Sequence, residues 1–136
     1  LDIEDGTLGR HVPAVSQTIA GILREAAPDE IYVTSEHEEH ADHVAACAAV
    51  RSAMAATNSP AALYRYVIAL PPGVTAGAVG EPFVAVDVAA HMETKRRAVR
   101  QFASHLTIVA RGQTEPFFKD ADVWVRPTET FFIQRQ

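Results

Sequence analysis

Apolar positions along the chain switch between two periods, and the switches outline its elements. Val12, Val15, Ile19, Ile22 and Leu23 recur at helical spacing, with Pro13 suited to a first turn where its missing N–H would be unpaired anyway. Pro28-Asp29 ends that helix. Ile31–Thr34 is short, β-branched and mostly apolar, as expected of a strand buried on both faces. From about Asp42 to Ala55 nearly every residue is small and apolar, which predicts a helix packed beneath other elements. Asn58-Ser59-Pro60 breaks it. Leu63–Leu70 predicts a second strand and Phe83–Val88 a third. Between them, Pro71 to Pro82 reads as a long Gly- and Pro-rich loop, either a functional lid or a plain surface crossing. The next predicted helix sets Met92, Val99 and Phe102 on one side and Lys95, Arg96, Arg97 and Arg100 on others, the basic residues forming a solvated face. Leu106–Ala110, Val123–Val125 and Thr130–Ile133 are short late strand candidates. Strands alternating with helices, without an internal repeat, predict an α/β fold with a parallel or mixed sheet.

The 136 residues suffice for one domain or a large part of one. A hydrophobic share of 48% and a charged share of 21% belong to a folded globular chain. The net charge of −5 argues against a phosphate-backbone partner, so no nucleic acid is expected. No apolar stretch approaches a membrane span and no signal-peptide pattern is present, so a cytoplasmic enzyme or binding protein is the default. Cys47 lies inside an apolar helix, where a buried small hydrophobe is expected rather than a reactive thiol. The chain opens at Leu1 without an initiator Met, which predicts an upstream segment.

Candidate chemistry concentrates in one place. Residues 37–43 read His-Glu-Glu-His-Ala-Asp-His, between the strand at Ile31–Thr34 and the alanine-rich helix. Open α/β sheets place ligand sites outside the carboxyl ends of their strands. His40, Asp42 and His43 could supply a metal ligand, an orienting carboxylate and an acid within one turn. Zinc accepts imidazole and carboxylate ligands and lowers the pKa of its bound water to about 7. The run is not the zincin motif, which needs its histidines four apart on a helix; His37 and His40 are three apart and precede one. By itself the segment fits equally a polar loop whose histidines face solvent. A metal-sensing site built from His37, His40 and His43 together is a further reading.

Three stretches, in order, carry a family resemblance. Pro28-Asp29-Glu30-Ile31-Tyr32-Val33-Thr34, then His40-Ala41-Asp42-His43, resembles the LmbE-like (PIG-L) family of zinc-dependent de-N-acetylases, in which a Pro-Asp strand leads to a His-x-Asp-His motif opening a helix. Glu4-Asp5-Gly6-Thr7-Leu8 is similar to that family's Asp-Gly-x-Leu turn. Val86-Asp87-Val88, Lys95, Ala98 and Ser104 are similar to its Val-Asp-[Ile/Val]…Lys-x-x-Ala…Ser-Gln segment, with His105 where Gln is usual, and Glu115-Pro116-Phe117 is faintly similar to a late Glu-x-Phe.

The resemblance implies a Rossmann-like three-layer α/β sandwich with a mostly parallel sheet, of which residues 1–136 would be the larger, C-terminal part, lacking the first strand. It implies a hydrolase removing the N-acetyl group of an amino sugar such as an N-acetylglucosamine conjugate, with zinc as cofactor. His43 would ligate zinc. His40 would stabilise the oxyanion and protonate the leaving amine, and Asp42 would orient and polarise His40. His37 has no family counterpart and is expected to face solvent; Glu38 and Glu39 are expected to be solvated or substrate-side charges. The family's His-Pro-Asp-Asp-Glu motif, which supplies two zinc ligands and the general base, is absent here, so an upstream segment, separate or continuous, is the expected partner and this chain alone is expected to be inactive. The alternative is a non-catalytic, degenerate homologue used for binding or assembly. Substrate identity and oligomeric state, a homo-oligomer included, are open at this point.

Overall fold

The computed structural model describes residues 2–68, 70–109, 111–120, 122 and 125–134. Helix α1 (Val12–Ala26) carries its proline in the first turn and ends where Ala27 turns left-handed at φ 41°, its amide donating back to the Leu23 carbonyl. Pro28 cannot continue the helix, and the chain turns into strand β1 (Glu30–Thr34). Helix α2 (Ala41–Thr57) ends in the same way on Asn58, whose short polar side chain tolerates φ 50°. Strand β2 (Ala62–Tyr66) follows and stops short of the expected Leu70; Ala69 lies outside the described residues. The expected loop at 71–82 contains one short helix, α3 (Ala76–Val79), capped by the Thr75 hydroxyl. The remaining elements are β3 (Phe83–Asp87), α4 (Met92–Val99), α5 (Ala103–Leu106) and β4 (Thr128–Gln134).

The fold is mixed α/β, with a four-stranded open sheet in the order β1-β2-β4-β3. Strands β1 and β2 run parallel with Tyr32 opposite Tyr64, whereas β4 runs antiparallel to β2 with Phe132 opposite Arg65. A mostly parallel sheet was the expectation; one parallel pair is observed, and the other pairings are antiparallel. The physical reason is the connection. A parallel neighbour needs a crossover, usually a helix laid across a sheet face, and α1-β1-α2-β2 supplies that only for the first pair.

Helices α1 and α2 pack together on one face of the sheet, where Ala20, Leu23, Val33, Cys47, Val50, Ala53, Met54, Ala61 and Leu63 form the core. The other face of β1 is not covered as a doubly buried strand requires. Tyr32 is 54% exposed, stacks on Tyr64 at 4.9 Å and donates its hydroxyl to Glu30 at 2.8 Å. Expected burial on both faces therefore holds only at the end of the strand, where Val33 and Thr34 are buried on opposite sides, and fails at Tyr32. Helix α2 is likewise one-sided: Ala45, Cys47, Ala49, Val50, Ala53 and Met54 are buried, while Val44, Ala48, Arg51 and Ala55 face solvent. Small size rather than complete burial explains its composition.

The chain folds as two compact units, Leu1–Val84 with Thr130–Gln136, and Ala85–Glu129. Within the second, Arg97 and Arg100 are exposed, as expected of a solvated face, while Arg96 is half-buried and pairs with Glu93 at 2.9 Å and with Asp122 at 3.1 Å. The helix stops at Val99, and Phe102 instead precedes α5 at 59% exposure rather than extending an apolar stripe. Leu106 ends α5 instead of starting a strand, and Ala110 lies outside the described residues, as do residues 123 and 124 of the Val123–Val125 candidate. Thr130–Ile133 falls within β4 as expected. Among the described residues no helix is long and apolar enough to cross a membrane.

Candidate functional site

The His-rich turn leaves the carboxyl end of β1 and enters α2 through an unusual cap. His40 is the N-cap residue, extended at φ −77°, ψ 121°, and its Nδ1 accepts the Asp42 amide at 3.3 Å. That bond leaves the proton of a neutral ring on Nε2. Asp42, in the first helical turn, gains from the positive end of the helix dipole. Its carboxylate reaches away from the helix: Oδ2 accepts the Gly6 amide at 2.7 Å and Oδ1 the Leu8 amide at 3.1 Å. Gly6 presents its amide from φ +78°, a conformation that only glycine adopts without strain. The Asp-Gly-Thr-Leu turn and the His-Ala-Asp-His turn are thus joined by one carboxylate. The link between Asp42 and His40 runs through the Asp42 backbone amide.

His40 and His43 lie side by side, ring centroids 4.8 Å apart. His43 is held at both ends. Its carbonyl accepts the Thr34 hydroxyl at 2.9 Å, and its Nδ1 lies 3.5 Å from Oε2 of Glu38. Glu38 is buried, with its Oε1 accepting the Ile68 amide at 2.5 Å, which corrects the expectation of a solvated charge. Glu39 is exposed, as expected.

His37 departs from the expected solvent-facing loop. Its Nε2 meets Glu81 at 2.9 Å and its ring packs edge-on against Phe132 at 5.0 Å. Three imidazoles around one metal are therefore not what the turn builds. Instead His37 joins a charged chain that local sequence reading missed. Arg65, 3% exposed, donates Nη1 to Glu36 at 2.5 Å and Nη2 to Glu81 at 2.6 Å, with its guanidinium 5.8 Å from the Phe132 ring centroid. Arg51 adds a second donor to Glu36 at 2.5 Å. One signal was present in the sequence: an arginine in the middle of an apolar strand, Leu63-Tyr64-Arg65-Tyr66-Val67, requires counter-charges wherever it is buried.

Glu36, His37 and Glu81 offer ligand atoms within 4.8 Å of one another, the arrangement among the described residues most like a metal cluster. Both carboxylates already pair with the Arg65 guanidinium, so a cation placed there would face a buried positive charge. This cluster is an ion-pair network. Burial alone would push the Glu36 carboxyl up, but hydrogen bonds from Arg65 and from its own backbone amide, with the Arg65 charge, hold it down at about 2. The hydrogen bond from Arg65 likewise lowers Glu81. Burial and the Glu36 charge push the Cys47 thiol up to about 11, consistent with a buried hydrophobe and not a nucleophile.

A pH dependence follows from Glu36. Its carboxyl is lower in the folded chain than its ordinary 4.5, so the stabilisation is complete above that value and fades as pH falls toward about 2. Allowing for partial solvent access, Glu36→Gln should lower stability at pH 7 by about 2 kcal/mol. Urea midpoints against pH check this: the wild type should lose more stability than the variant across that acid window, and parallel curves would sink the assignment.

A cavity of about 380 Å³, lined by Leu23, Asp29, Thr57, Ser59 and neighbours, lies where α1 and α2 end and β1 and β2 begin. It is at the opposite end of the strands from the histidines. Of the downstream residues in the resemblance, Asp87 accepts the Ala89 amide at 2.8 Å and Lys95 pairs with Glu129, both within the second unit. No family model, curated protein or solved structure matches this chain.

Proposed function

We propose that the chain is the larger, C-terminal part of a zinc-dependent amidase that removes the N-acetyl group of an amino sugar or sugar conjugate, as its resemblance to LmbE-like (PIG-L) deacetylases implies. One observation carries the reading: the Asp42 carboxylate binds the amides of Gly6 and Leu8, so two separately recognised motifs meet at one helix N-terminus. The proposal includes the finer fold, a three-layer Rossmann-like sandwich. Strand β1 is at the edge of the sheet with Tyr32 uncovered, which leaves room for a further strand and layer. A cytoplasmic setting belongs to the same proposal.

The donor set fits zinc in part. His43 offers an imidazole nitrogen beside a carboxylate that can orient it, the usual arrangement for a metal-bound histidine. Zinc needs about four ligands, so the proposal assigns the others, with the general base, to side chains that are not among these 136 residues. When bound, zinc makes a hydroxide-like nucleophile available near neutral pH. The residues of this chain then position and neutralise charge. His40, with Nδ1 taken up by its cap bond, would present Nε2–H toward the oxyanion that develops as the amide carbonyl is attacked. Protonation of the leaving amine, the second role the resemblance gives His40, requires the imidazolium, which forms only when Nδ1 gives up the Asp42 amide. Asp42 keeps the His40 cap and the Gly6–Leu8 turn in register, so the two rings stay adjacent.

The test uses the natural gene product including whatever coding sequence precedes Leu1. Equilibrium dialysis should find stoichiometric zinc, lost in His43→Ala, together with acetate release from N-acetylglucosamine conjugates. Zinc content indifferent to His43 would overturn the metal assignment. Absence of both zinc and hydrolysis would favour the non-catalytic homologue.

A further inference from the structure

We propose that Glu38 is a positioning residue that keeps the proton of the neutral His43 ring on Nδ1 and leaves Nε2 as the bare, outward nitrogen. Three observations point there. The Glu38 side chain is 3% exposed against 31% for His43, so the carboxylate lies behind the ring and the ring lies toward solvent. The carboxylate is anchored from its far side, where the Ile68 amide donates to Oε1 at 2.5 Å, and its Oε2 then meets His43 Nδ1 at 3.5 Å. Third, the Thr34 hydroxyl donates to the His43 carbonyl at 2.9 Å, which ties the His43 backbone to the end of β1 beside Glu38. A carboxylate is an acceptor only, so the nitrogen facing it is the one that carries the hydrogen.

The consequence is specific, because a neutral imidazole in water favours the opposite tautomer, with the proton on Nε2. Glu38 would reverse that preference at this one position. It would also make Ile68, at the exit of β2, part of the support of a ring that follows β1. The further statement that Nε2 then serves as a metal ligand rests on the zinc reading above; the tautomer does not.

Histidine-¹⁵N labelling and long-range ¹H–¹⁵N correlation on the full chain at pH 8 read the tautomer directly, with His43→Gln used for assignment. Wild-type His43 should show the Nδ1–H pattern, Glu38→Gln should retain it through its amide oxygen, and Glu38→Ala should revert to Nε2–H. A wild-type ring protonated on Nε2 overturns the proposal without any variant, and so does an unchanged tautomer in a folded Glu38→Ala protein. On the natural gene product, Glu38→Ala should also weaken zinc binding by roughly 10–100-fold while Glu38→Gln stays close to wild type. An Nδ1–H ring in a protein that takes up no zinc would refute the hydrolase reading and leave the role of Glu38 standing.

Discussion

Arg65→Leu should lower stability by about 3 kcal/mol, read as a fall in the urea midpoint with an unchanged slope. Removing one partner of a buried ion pair costs about 3–5 kcal/mol because the other charge is left desolvated and unpaired. The lower end applies because Glu81 is 36% exposed and can recover water, and because the half-exposed Arg51 remains on Glu36. Leucine roughly fills the space of the arginine stem, so the loss reports the charges and not a void. Lysine should fail almost as badly. It carries a point charge where the guanidinium forks to two carboxylates and lies over an aromatic ring. Replacing Arg65, Glu36 and Glu81 together by apolar residues should recover much of the loss, since apolar packing often matches a buried ion network in energy. If Arg65→Leu alone loses less than about 1 kcal/mol, Arg65 is not the central cation of this region.

Tertiary distance decided what could be read in advance. Helices α1 and α2 and strands β1 and β3 were legible because each is marked locally, by apolar spacing within and by Pro28, Asn58 or a Gly/Pro run at the ends. The position of His40 and His43 at the mouth of a strand-to-helix turn was legible for the same reason. Strand order was not. That β4 inserts between β2 and β3 is a choice among pairings which the pattern of Thr128–Gln134 leaves equal.

Glu36, Arg65 and Glu81 escaped notice because they come from the turn after β1, the middle of β2 and the approach to β3, and nothing local marks them as partners. Glu38 was misread for a related reason. In a run of charges it looks solvated, and the Ile68 amide, 30 residues on, is a partner for its carboxylate that nothing local announces. Placing Phe102 on the helix face of Met92 and Val99 failed differently: Arg100 and Gln101 do not break a helix, but Phe102 is 59% exposed and gains no burial that would extend it.

Phe132→Ala should cost about 3–5 kcal/mol, the range for emptying the space of a fully buried aromatic ring. Phe132 is 0% exposed and is the largest fully buried side chain among the described residues. Its ring meets His37 at 5.0 Å, Phe83 at 6.4 Å and the Arg65 guanidinium at 5.8 Å. One side chain of β4 is thus the apolar floor on which the ion-pair network rests. Phe132→Leu, which keeps most of the volume, should cost about 1–1.5 kcal/mol but lose the aromatic face below Arg65. The two variants separate packing from ring chemistry. Both should remove the ring-current shift on the His37 imidazole protons, whereas only the alanine variant should show the large stability loss in urea. A Phe132→Ala protein within about 1 kcal/mol of wild type would mean that β4 does not close over Arg65, and the predicted cost of Arg65→Leu would fall with it, because an arginine open to water at that point leaves no buried charge behind.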